Sequence, residues 1–182
     1  MKVEKINLNS LRDMAYKIAC NHGFHDKELS NEHFLMLVIT ELSEVVEADR
    51  ENRRADIKKY TTSIECGNPD KAAFVFYIKD TVEDELADVA IRLLDLAGLR
   101  KINLDLLELP IQKSCISDIM TIFCFDAISF IYMGNIELKD KICVLISLLF
   151  EKAQSDKFNL LWHIEQKMKY NNLRQKMHGK KY

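Results

Sequence analysis

Apolar residues recur at spacings of three and four along most of the chain, the period of a helix that turns one face to a core. Val38, Leu42, Val45 and Val46 mark one such stripe, and Val82, Leu86, Val89 and Leu93 mark another. The pattern predicts helices at about 8–22, 31–52, 74–99, 111–133, 137–153 and 159–172. Asn7 and Ser30 stand where N-caps belong, and Gly98 and Gly134 where helices stop. Residues 55–71 show no helical period and contain Gly67-Asn68-Pro69, so they read as a loop or insertion. The stretch FVFY, 74–77, is compatible with a short strand or with a helix start facing a second subunit. With only two prolines and five glycines among 182 residues, the expected fold is an all-α helical bundle in a single domain, 1–182.

One residue conflicts with its stripe. Glu41 lies one turn from Val38 and one turn from Val45, where burial of an unpaired carboxylate costs several kcal/mol. Glu85 sits in the same way between Val82 and Val89. Each has a second acid one turn away, Glu44 and Asp88. Acidic pairs at this spacing arise by chance in a chain with 28 acids, and a solvated acidic face is the plain explanation for any single pair. Two pairs on the apolar sides of two helices are a different matter. Packed antiparallel, these helices bring four carboxylates together, and like charges in a partly dry groove repel strongly unless cations lie among them. Arg92 is the one basic residue on either stripe, and it suits the orienting of Asp88 or a contact to phosphate. A hard divalent cation fits better, because carboxylate oxygens are the ligands Mg²⁺ prefers, with Mn²⁺ as a substitute.

The segments ELSE (41–44) and EDELADVAIRLLDLAG (83–98) resemble the ExxE…ExxD signature of the MazG-like all-α nucleoside triphosphate pyrophosphohydrolases. Their relatives include the dimeric dUTPases and the phosphoribosyl-ATP pyrophosphatases. The tail, IEQKMKYNNLRQKMHGKKY, is similar to the KxxYNxxR…HGK ending of one branch. The resemblance implies hydrolysis between the α- and β-phosphates of a nucleoside triphosphate, with release of a monophosphate and pyrophosphate. Glu41, Glu44, Glu85 and Asp88 are then the catalytic and metal-binding set, holding Mg²⁺. Two departures stand out: the stretch between the acidic motifs is longer than usual, and residues 111–153 separate the core from the tail.

The tail carries its own chemistry. Lys167, Asn171, Arg174 and His178 fall on one helical stripe, a row of donors of the kind polyphosphate oxygens require. A basic helix end complementing the helix dipole is the bland alternative. Lys167, Asn171, Arg174 and Lys180 are the expected substrate contacts. Asp95 is a candidate further metal ligand or an acceptor behind the metal, with a pairing to Arg92 or a tail lysine as its structural alternative. Glu83 and Asp84 read as early-helix acids, and Phe24 and His25 as neighbours for a base. No ExxH spacing is present, which argues against a ferritin-like di-iron site.

Composition narrows the rest. A net charge of −2 suggests neither a nucleic-acid polymer nor a membrane as partner. The first residues lack the apolar run of a signal peptide. Cysteines at 20, 66, 115, 124 and 143 form no CxxC pair and read as buried free thiols in a cytoplasmic protein. Surplus apolar surface, FVFY included, predicts a homodimer or a dimer of dimers. The rival to an enzyme is a non-catalytic helical interaction module.

Overall fold

The computed structural model describes residues 7–104 and 116–176. Among these residues the chain forms eight helices and no strand: α1 (Leu8–Asn21), α2 (Asn31–Arg50), α3 (Ile57–Glu65), α4 (Asp70–Tyr77), α5 (Val82–Leu99), α6 (Met120–Tyr132), α7 (Leu138–Ser155) and α8 (Leu160–Asn172). The expected all-α fold is therefore present. None of these helices is long and apolar enough to cross a membrane.

Side-chain caps set most helix starts. Asn7, Ser30, Asp56, Thr81 and Asn159 each accept a hydrogen bond from a backbone N–H in the first turn, each worth about 1 kcal/mol. Two of these caps correct the expected layout. Asp56 starts α3 inside the segment read as a loop. Thr81 divides the expected helix 74–99 into α4 and α5: its hydroxyl donates to the Ile78 carbonyl at 2.6 Å while Asp80 takes a positive φ of 60°. FVFY is thus helical, at the end of α4, and Phe76 within it is exposed.

α5 is the central element, in contact with α1, α2, α7 and α8, while α6 packs on α2. The α6–α7 hairpin therefore covers the bundle from within the same chain. Gly98 is not a stop, because α5 runs on to Leu99. It marks a close approach instead: a Cβ there would lie 2.5 Å from the Cβ of Tyr16 on α1. A smaller aromatic cluster fixes α3 and α4 to α8. Phe74 stacks on Tyr170 with ring centroids 4.8 Å apart, Tyr60 meets Trp162 edge-on, and the Tyr60 hydroxyl donates to Asp70 at 2.6 Å.

Cysteine placement departs from expectation. Cys124 is buried and Cys143 partly so, but Cys20 and Cys66 are exposed; all four are free thiols, and Cys115 lies outside the described residues.

His163 is fully buried against Phe158 and Trp162, and neither ring nitrogen has a partner among the described residues. Burial pushes its pKa down to about 4. Below pH 6.5 the unfolded chain takes up a proton that the folded chain refuses, so stability falls as pH drops from about 6.5 toward 4. His163→Phe should flatten this limb, worth on the order of 2 kcal/mol at pH 5. Urea unfolding of both proteins at pH 7 and pH 5 checks this; equal losses in both would exclude His163 as the cause.

Candidate metal and phosphate site

The break at 78–81 sets the head of α5 against α2 and α8. Asp84 Oδ2 accepts the Asp80 backbone N–H at 3.0 Å, which folds the turn back over the first helical residues. α2 lies antiparallel, placing Glu41 beside Arg92 and Glu44 beside Glu85. Together with α1 and α8, these elements line a cavity of about 240 Å³. Glu41, Glu44, Glu85, Asp88, Lys167, Asn171 and Arg174 all face it. Lys180 and His178 lie outside the described residues.

The neutralising partner of Glu41 is now visible: Arg92 Nε donates to Glu41 Oε1 at 2.9 Å. Burial still pushes the Glu41 carboxyl up, with the Asp88 charge adding to it and Arg92 opposing. Lys167 is buried, and its ammonium bridges Asp84 Oδ2 at 2.6 Å and Asp88 Oδ2 at 2.7 Å. Burial opposes its charge, yet the three carboxylates of Asp88, Asp84 and Glu85 more than reverse that, and its pKa rises. Asp84 is fully buried rather than a solvated first-turn acid, and burial lifts its pKa to about 6 despite Lys167. Glu83 accepts the Ala55 backbone N–H at 3.0 Å. Asp95 pairs with His25 at 2.7 Å instead of joining the metal-facing acids.

Charge on the cavity wall is unbalanced. Glu41, Glu44, Asp80, Glu85, Asp88 and Asp95 face Lys79, Arg92, Lys167 and Arg174, and Lys79 is already paired with Asp80. Glu85 is the least compensated: it is buried at 3% exposure, with no hydrogen bond or ion pair among the described residues. Burial raises its pKa to about 8, helped by Asp88, Asp84 and Glu44 and opposed by Lys167. It also belongs to two acidic triads. Oxygens of Glu41, Glu44 and Glu85 lie within 4.8 Å of one another, as do those of Asp80, Asp84 and Glu85. An orphaned carboxylate at the junction of two oxygen clusters fits a hard divalent cation. Asn171 adds an unpartnered amide oxygen on the same wall.

Asp80 and Lys79 were not singled out from the sequence, and Asp84, expected as an early-helix acid, is instead a buried partner of Lys167. The signal for Asp84 was available, since it precedes Asp88 by one turn on the same face. The chain matches no protein-family model, no curated protein and no solved structure.

Two outcomes follow from this charge pattern. Lys167→Met should destabilise the protein by about 3–5 kcal/mol, because the buried Asp84 and the partly buried Asp88 lose their shared cation; an unchanged urea midpoint would contradict the bridge. For Glu85, the folded chain keeps a proton that the unfolded chain has lost between about pH 4.5 and 8. That contribution to metal-free stability therefore declines as pH rises through this window. Glu85→Gln should remove the decline and also the rise in Tm that Mg²⁺ or Mn²⁺ gives the wild type at pH 8, both read by thermal melts.

Proposed function

We propose that the chain is a Mg²⁺-dependent nucleoside triphosphate pyrophosphohydrolase of the all-α type, serving control of the nucleotide pool. The observation that carries this reading is Glu85, buried without a partner where two acidic triads meet, in a cavity that also presents Asn171 and Arg174. A metal-independent interaction module has little use for such a residue. Glu41, Glu44, Glu85 and Asp88 are the residues that hold Mg²⁺, and Mn²⁺ in its place. Mg²⁺ there supplies screening of phosphate charge and lowers the pKa of water.

The remaining roles belong to the protein's own groups. Glu44 is only half-buried and has no ion pair among the described residues, whereas Glu41 is held by Arg92, so Glu44 is the residue assigned to orient and deprotonate the attacking water. Arg92 fixes Glu41, and Lys167 fixes Asp84 and Asp88. Arg174 and Asn171, on the cavity wall beyond Lys167, contact the polyphosphate. Self-association belongs to the same reading, with Phe76, Phe125 and Tyr132 as exposed apolar surface for a homodimer.

Pyrophosphate release from a panel of triphosphates tests the activity directly. Glu44→Gln should abolish turnover with the helical fold intact by circular dichroism. In ¹⁸O-labelled water the label should enter the monophosphate and not the pyrophosphate; label in pyrophosphate would place the attack at the β-phosphorus. Arg174→Lys keeps the charge but loses the planar fork, and should lower kcat/KM by about ten- to a hundredfold. Sedimentation velocity at micromolar concentration should show a dimer, whereas a monomer would mean that the α6–α7 hairpin completes the bundle within one chain.

A further inference from the structure

The cavity has two chemically different ends. Along α5, Glu85 and Asp88 lie at the charged end, and Asp95 lies roughly 10 Å beyond Asp88 at the helical rise. At that far end α1 contributes Ala15, Ile18 and Ala19, α5 contributes Ile91, and the turn after α1 contributes Phe24. Alkyl groups and the Phe24 ring, with the Arg92 guanidinium carbon 5.9 Å from the ring centroid, thus form a small chamber that is apolar apart from Asp95 and Arg92. Asp95 is the single acid within it.

Asp95 is held in place. His25 Nε2 contacts its Oδ1 at 2.7 Å, and the His25 ring is wedged between Tyr16 and Phe34, with centroids 5.2 Å and 5.6 Å away. The side chains of both members of the pair are about nine-tenths buried. The second Asp95 oxygen has no hydrogen-bond partner among the described residues, and Asp95 stands on the cavity wall. One oxygen fixed by a histidine and one left open, with the Arg92 charge nearby favouring the ionised carboxylate, make a rigid acceptor for a single N–H group. A buried acceptor left unmatched is costly, so a site of this kind rejects ligands that bring it a carbonyl.

Resting on the pyrophosphohydrolase reading, we propose that Asp95 is the base-selecting residue of this site, accepting a hydrogen bond from the exocyclic amino group of the nucleobase. Nucleotides of cytosine and adenine satisfy it. Uracil, thymine and hypoxanthine place a carbonyl oxygen at the corresponding position, against the carboxylate. The base occupies the chamber beside Phe24 while the phosphates extend toward Glu85, a span that the distance along α5 accommodates.

Matched nucleotide pairs that differ by amino for keto test this: dCTP against dUTP, and dATP against dITP. Binding of their nonhydrolysable α,β-methylene analogues, measured by calorimetry with Mg²⁺, reads selectivity without turnover. The wild type should favour the amino member of each pair by about ten- to a hundredfold, the scale of one hydrogen bond to a charged group. Asp95→Asn, which offers an amide donor as well as an acceptor, should collapse that ratio, whereas a purely structural role would weaken both members equally. Should Asp95→Asn fail to fold, Asp95→Ser, which removes the carboxylate, takes its place and should collapse the same ratio. Equal binding of both members by the wild type overturns the assignment of Asp95 and leaves the pyrophosphohydrolase reading standing, as does a ratio that survives in Asp95→Asn. Binding of none of the analogues overturns both.

Discussion

The buried ammonium of Lys167 is the interaction on which the arrangement of the site depends. A charge removed from water needs compensation close at hand, and Asp84 and Asp88 supply it from successive turns of one helix face. Because both acids belong to α5 and the cation to α8, the bridge fixes the rotation of α8 about its axis as well as its distance. Asn171 and Arg174 then follow one and two turns later on the cavity wall. Arg92 does for α2 what Lys167 does for α8, tying Glu41 to α5. The two cations compensate three of the acids and leave Glu85 and Glu44 without an ion pair among the described residues. The site is therefore built with a shortage of positive charge at one defined place.

That shortage is tolerable because α5 is secured by everything around it. Leu86, Val89, Leu93 and Leu96 are buried in the main core, and α7 supports the helix on the side away from the cavity. Hydrophobic burial of about 1.5–3 kcal/mol for each large side chain outweighs the repulsion among a few acids. The α3–α4 segment contributes differently. Its aromatic contacts with Trp162 and Tyr170 clamp α8 from outside, at the turns that carry Lys167 and Asn171 on the inside.

The parts of this design that were legible in the sequence are those where two requirements collide. A glutamate between two valines on a helical stripe contradicts its own surroundings, and this singled out Glu41 and Glu85 without any structure. The long helices were legible because their apolar period is sustained over several turns. α3 was not, since it buries only Tyr60 and is held by the packing of that ring on Trp162 of α8, distant in the sequence. The break before α5 was hidden too: Asp80 adopts a left-handed conformation with no glycine to announce it. Asp84 was misread because a first-turn acid has a sufficient local explanation in the helix dipole, and only tertiary placement shows that Lys167 meets it. Cys20 follows Ile18 and Ala19 in sequence yet is exposed near the end of α1, and Cys66, between Glu65 and Gly67, is exposed at the C-cap of α3.

The close approach between Gly98 and Tyr16 also sets a dimension. α1 supplies one wall of the apolar chamber and α5 another, so their separation is the width available to a ligand there. That separation is held by a residue with no side chain, outside the cavity lining. A single methyl group at position 98 would act as a spacer between the two walls, altering the bore of the chamber without changing any atom a ligand touches.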